Sequence, residues 1–294
     1  MSTRPVDPSR TRPALRAIET AFAAGVLHPA VLEAISGLGV KAKDVADVNI
    51  VTRAAPMGRV NAAVVCSAFF NLNPTVITEL IPAAWDVTAP ESVLAAQADA
   101  LSPPLAAAVA SMTPADLAEL AALSRTATEA AIEHAEGRPL FAGMASLPLP
   151  AEDHMMIWYA AKLLREHRGD GHVAALVVEE LGPIDALVIH AAFDGFPADM
   201  LRRSRRWSQE EWNASVDSLR ALGWLTDAAE PTLTPDGSTR RRWIEDRTDQ
   251  MAVAAFAPIG PEGVERMIEL GATFTQALED GGLGSTIRRI PLGD

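Results

Sequence analysis

Apolar residues recur along most of this chain three and four positions apart, the spacing that places them on one face of a helix. Leu15, Ile18 and Phe22 follow Pro13 in this way, and Pro29 opens a second helix that stops near Gly37 or Gly39. Residues 48–52 are a short β-branched run and read as a strand. After Gly58, residues 60–69 are almost wholly apolar, which predicts a buried helix. Pro74 opens another helix, ending before Trp85. Thr88 and Glu91 stand at capping-box spacing and predict a helix to about Leu101. Thr113 and Pro114 start a long helix to about Glu136, stopped by Gly137 and Pro139.

The second half continues the pattern. Residues 152–168 form a helix that Gly169, Asp170 and Gly171 interrupt, with Asp170 capping the next helix to Leu181. Pro183 opens a helix to about Phe193, and Pro197 a short one. Ser208 with Glu211 is a capping box for a helix to about Leu222. Residues 224–226 and 232–233 read as two short strands around DAAEP. Thr234 and Pro235 cap a long helix to about Val253, and Pro261 opens the last, ending near Gly281.

The halves resemble each other. GRVNAAVVCSAF from Gly58 lies over GPIDALVIHAAF from Gly182 in one ungapped register. Pro74 matches Pro197, Trp85 matches Trp207, and Thr88 matches Ser208; the stretch from Met112 lies over the one from Ile259. A duplicated helical unit follows. The expected fold is mainly α: two tandem, degenerate winged-helix-like units forming a pseudo-dimer, with a small β-wing in the second. Residues 1–139 are the first unit, 140–151 the linker and 152–294 the second.

Composition narrows the function. The 294 residues are nearly half apolar and carry a net charge of −13, so phosphate backbones are repelled unless basic groups gather on one face. A single Cys66 excludes an internal disulfide and a multi-cysteine zinc site. No apolar run reaches the roughly 18 residues of a membrane span, and the N-terminus has no apolar signal core; a soluble cytoplasmic protein, monomer or homodimer, is expected.

LGWL, TLTP and the long helix that follows resemble the wing region of MarR-type winged-helix proteins. RAAPMG, FFNLNP, LLREHRGDGH and LTPDG resemble a little-studied actinobacterial helix-turn-helix family. The resemblance implies an architecture, not a reaction. MarR-type regulators are two-fold dimers, and a duplicated chain would build a similar pair with a cleft between halves. DNA binding is doubtful. The helix in the recognition position carries Glu210, Glu211 and Asp217 against Arg220 alone, and the wing tip carries Asp227 and Glu230. Two basic clusters, Arg202, Arg203, Arg205, Arg206 and Arg240, Arg241, Arg242, argue the other way or are paired surface charges.

The densest polar cluster is Arg165, Glu166, His167, Arg168, Asp170 and His172. His154, Trp158 and Arg165 share one helix face. His172 stands in the first turn of a predicted helix, where free N–H groups attract anions. His172 or His167 would move protons, and Arg165 would hold an anionic substrate group. His154, Trp158, Arg168 and Asp170 would line the site from one side, Arg53 and Asn71 from the other. Set against this, the same residues form a salt-bridge and cap network that fixes a helix break. Cys66 and His190 read as packing. His167 and His172 with His154 or Glu166 would supply three metal ligands, and a haem would need one axial His. The function expected is therefore small-molecule binding, leaning to a cofactor-free acid/base enzyme of lyase or isomerase type acting on an anion. The alternatives are a MarR-like ligand-responsive regulator and a metal- or haem-binding protein.

Overall fold

The computed structural model describes residues 5–284. Fourteen α-helices follow one another in them: α1 Thr11–Leu27, α2 Pro29–Gly37, α3 Val45–Ala54, α4 Ala62–Phe69, α5 Pro74–Val87, α6 Pro90–Ala108, α7 Pro114–Ile132, α8 Pro139–Ala145, α9 Asp153–Val178, α10 Pro183–Asp194, α11 Ala198–Ser204, α12 Gln209–Ala221, α13 Pro235–Phe256 and α14 Gly260–Leu278. Most begin where local chemistry says they should. Proline occupies the first position of α5, α7, α10 and α13, where its missing N–H costs nothing. Asn73, Thr113, Ser208 and Thr234 cap from the preceding position.

The architecture is organised around α9, which packs against α1, α6, α7, α8 and α13. Its first half, through Leu164, belongs to a large apolar core shared with α1–α8, the end of α13 and α14. Its last turns, from Ala175, belong to a smaller core with α10, α11, α12, Trp224, Leu225 and Ile244. Between Leu164 and Ala175 the helix carries the charged cluster. The polar stretch is thus the part of α9 that passes between two apolar cores.

Several expectations are corrected. Residues 48–52 are helical, within α3: Asp44 caps it through the Ala46 and Asp47 N–H groups, and the Thr52 hydroxyl bonds the Val48 carbonyl at 2.9 Å. Five residues, four of them β-branched, are too few to separate a strand from one buried helical turn. Gly169, Asp170 and Gly171 do not interrupt α9. Each glycine costs the helix about 1 kcal/mol relative to alanine, but burial on α8 and α13 and the pairing of Arg168 outweigh that. The linker 140–151 contains most of α8, with Leu140, Phe141 and Met144 buried. Thr88 ends α5, and α6 starts from Ala89 without a side-chain cap. The β-wing is absent among the described residues: Leu225 and Leu233 form a single antiparallel bridge, flanked by Thr226 N–H to Thr232 O at 2.9 Å. The excursion between them contains Pro231, which has no N–H to extend a ladder. Of the matched repeat positions, Asn61 caps α4, whereas Asp185 lies inside the first turn of α10. Among the described residues no single helix is long and apolar enough to cross a membrane; α1 with α2 passes by length and composition as a bent pair, and most of α1 is buried in the core.

Candidate functional site: an arginine-lined cleft

Where α9 leaves the large core, a cleft of about 420 Å³ opens between α1 and α3 on one side and α10 and α11 on the other, with α9 as its floor. That volume lies in the range of small-molecule sites. Six arginines line it, Arg12, Arg16, Arg53, Arg165, Arg168 and Arg205, against three acids, Glu19, Glu166 and Asp170. In a chain with net charge −13 this is a local reversal of sign.

Three of the arginines form a pole. Arg53, from α3, grips Glu166 of α9 with two parallel bonds of 2.9 Å. Arg165 bonds Glu166 and Glu19 of α1, each at 3.1 Å. Rings cover both guanidinium faces: Phe69 lies 4.5 Å from Arg53 and Phe22 4.7 Å from Arg165. Burial alone would raise the Glu166 carboxyl; the charges of Arg53 and Arg165 outweigh it and hold the group below its usual range. Glu19 is raised by burial despite Arg165. The third cation, Arg205, follows α11. Among the described residues its side chain makes one hydrogen bond, to Ser204 Oγ at 3.2 Å, and no carboxylate pairs with it. Burial, and then the charges of Arg165 and Arg53, push its pKa down to about 10, so it stays charged at neutral pH.

The floor is a second, self-satisfied network. Arg168 bonds Glu245 at 2.7 Å and Asp249 at 2.9 Å, and Arg241 also pairs with Glu245. His172 Nδ1 lies 3.1 Å from Thr248 Oγ1, and that hydroxyl gives its proton to the Ile244 carbonyl at 2.7 Å. The hydroxyl is therefore the acceptor, and His172 carries its proton on Nδ1. Nε2 is left as an unprotonated base on a residue that lines the cleft. Burial, assisted by Arg241 and Arg168, pushes the His172 pKa down to about 3, so the ring is neutral.

Of the residues singled out in the sequence, Arg53, Asn71, Arg165, Arg168, Asp170 and His172 meet at this cleft. His154, Trp158 and His167 do not line it. His154 Nε2 bonds Ser102 Oγ at 3.0 Å, and burial lowers its pKa. Trp158 packs on Gly25 and lies under the Lys162 ammonium at 4.6 Å. His167 packs edge-on against Phe141, with a pKa pushed down to about 3 by burial. Asp170 caps no continuation of its own helix; it accepts the Phe141 N–H of α8 at 2.9 Å. Among the described residues no three His, Cys, Asp or Glu side chains converge as a metal site, so the ligand set of His167, His172 and His154 or Glu166 does not assemble. Arg205 and Glu19 were missed. Arg205 stood in the basic cluster after Pro197, and only its failure to find an acidic partner sets it apart.

Beyond the cleft, α11, the four residues 205–208 and α12 form a helix, turn and helix, with α10 packed behind. The exposed positions of α12 include Glu210, Glu211, Asn213 and Asp217. Arg220 is turned back onto the Thr226 and Ala228 carbonyls. Arg202 and Arg203 pair with Asp199, Arg206 with Asp44, and Arg240 with Glu179. A second groove of about 430 Å³ between α11, α12 and residues 229–231 mixes Asp199, Asp217 and Glu230 with these committed arginines.

This arrangement is that of a helix-turn-helix protein. The chain belongs to a helix-turn-helix family, whose sequence profile matches residues 11–284. No curated protein and no solved structure matches it.

Proposed function

We propose that this chain is a ligand-responsive regulator of the helix-turn-helix family, and that its ligand is a small organic anion held in the cleft. The observation that carries the reading is Arg205: a half-buried cation on the cleft wall, with no carboxylate partner among the described residues, beside two arginines that have theirs. A buried charge left unpaired is costly unless an anion completes it. Arg205 also belongs to the turn of the helix-turn-helix segment, so a bound anion touches the segment directly. The test is a thermal-shift and calorimetric screen of organic acids and phosphate esters against the wild type and Arg205→Gln. The reading predicts an anion that stabilises the wild type and loses that effect in the variant; no stabilising anion at all would overturn it. The regulatory part is tested by fluorescence anisotropy with the DNA upstream of its own gene, at low and high salt, with and without the anion found. Affinity that ignores both salt and ligand removes DNA as the output, which the acidic face of α12 already disfavours.

One observation favours a second reading, an acid/base enzyme. His172 lines the same cleft with Nε2 unprotonated, and the charge of a bound anion would raise its low pKa toward the range a general base needs. Solvent-deuterium incorporation into a bound anion, lost in His172→Ala, would support it; no exchange into any bound anion would sink it.

A further inference from the structure

We infer that the ligand of this cleft is a monocarboxylate with an apolar body, its carboxylate seated on Arg205 and its body on the walls. The inference rests on the anion-binding reading above and goes beyond it in naming the chemical class.

The charge comes from the pairing. Arg53 and Arg165 are matched by Glu166 and Glu19, Arg12 is matched by Glu245, and Arg16 acts on Glu19, so Arg205 is the cation of the pole whose charge is left to match. Arg168 adds none, because Glu245 and Asp249 already hold it. A monoanion closes the account. A phosphate ester or a dicarboxylate would bring a further negative charge beside the carboxylates of Glu166 and Glu19, which repel it.

Hydrogen-bonding capacity fixes the head group. A guanidinium has five N–H donors in a planar fork that matches the two oxygens of a carboxylate. Arg53 has already closed its fork on Glu166. Arg205 has given one N–H to Ser204 and keeps the rest. The walls fix the body. Leu15, Val26, Ile50, Leu72, Leu187 and Leu201 give the walls their apolar stretches, with Asn49, Asn71 and His172 as polar groups among them.

The experiment is isothermal titration of the full chain near neutral pH with straight-chain acids from butanoate to octanoate. Octanol, octyl phosphate and the dicarboxylate suberate serve as matched probes. Affinity should rise about fourfold with each methylene until the cleft is filled, the increment expected for burying one such group. Octanoate should bind at least about tenfold more tightly than octyl phosphate, suberate or octanol, and Arg205→Gln should weaken it about tenfold, the loss of a charged hydrogen-bonded pair. Arg203→Gln, exposed near the end of α11 and outside the cleft, should leave it unchanged. Circular dichroism checks that Arg205→Gln is folded; if it is not, Arg205→Lys, which keeps the charge and loses the fork, should narrow the margin of octanoate over octyl phosphate. Octyl phosphate or suberate binding as well as octanoate, or affinity indifferent to chain length, overturns this inference and leaves an anion site standing. Octanol binding as well as octanoate overturns the role of Arg205. No binding by any of the anions overturns the underlying reading as well.

Discussion

Replacing Asp170 by Asn should stabilise the protein at alkaline pH and do little at acid pH. Asp170 is buried on α9, with one oxygen accepting the Phe141 N–H at 2.9 Å. It serves the start of α8, whose own preceding residue, Arg138, supplies no side-chain cap. Burial, with the Glu166 charge, pushes its pKa up to about 7 from an ordinary 3.8. The native protein therefore keeps a proton that the unfolded chain releases over that window. Stability from this group is intact below pH 3.8 and is lost as pH rises through about 7. At about 1.4 kcal/mol per pH unit the whole loss is about 4 kcal/mol. Asn keeps an oxygen to accept the Phe141 N–H and has nothing to ionise. Urea unfolding of both proteins at about pH 5 and about pH 8.5 should show the variant's advantage growing by about 3 kcal/mol between them. An advantage that is the same at both pH values would refute the reasoning and return Asp170 to the set of ionised ligand-binding groups.

Arg168→Met should cost about 3–5 kcal/mol, because it strands Asp249 inside the protein and takes one of the arginines from Glu245; a loss under about 1 kcal/mol by chemical denaturation would show the pair to be dispensable. Gly25→Ala places a Cβ 2.2 Å from Trp158 Nε1 and should cost about 1–3 kcal/mol. Adding Trp158→Phe should recover part of that, and an unchanged melting temperature for the single variant would contradict the packing described. The His172 ring should stay neutral, with its proton on Nδ1, from about pH 5 to about pH 8. Nitrogen NMR reads the tautomer directly, and an imidazolium signal near pH 6 would contradict it.

Helix starts were legible in the sequence because they are decided within four residues. Asn73 with Pro74, Thr113 with Pro114, Ser208 with Glu211 and Thr234 with Pro235 each carry their own instruction. The continuity of α9 through Gly169 and Gly171 was not legible, because its supports are remote: Glu245 and Asp249 stand 77 and 81 residues from Arg168. Six of the nine residues singled out do meet in the cleft. The shared face of His154, Trp158 and Arg165 misled for a simple reason. Eleven residues of helix rise about 16 Å, so one face meets different neighbours along its length. His154 thus ends against Ser102, while Arg165 reaches Glu19. Arg205 was hidden by company. In the sequence it is one of four nearly adjacent arginines; Asp199 stands at helix spacing from Arg202 and Arg203, but only the fold gives Asp44 to Arg206 and leaves Arg205 without an acid.

That allocation places the cleft and the helix-turn-helix segment on one piece of backbone. The turn between α11 and α12 reaches the first half of the chain at three successive residues. Arg205 faces the arginine pole, and its carbonyl accepts the Asn73 N–H at 3.0 Å. Arg206 pairs with Asp44 at the start of α3, the helix that carries Arg53. Trp207 donates its indole N–H to the Asn71 carbonyl at 2.9 Å. Both sides of this junction hold a non-glycine residue at positive φ, Phe70 at 49° and Arg206 at 63°, a conformation that neighbouring contacts must sustain. The anion proposed for Arg205 would act on the turn that holds these contacts, while the acidic outer face of α12 stays on the opposite side of the segment's own small core. On the proposed reading, one packed layer of Trp212, Val216 and Leu219 would separate the anion site from the outer face of α12. A shift of the turn must pass through that layer as a movement of the helix, because close-packed side chains transmit displacement and do not absorb it.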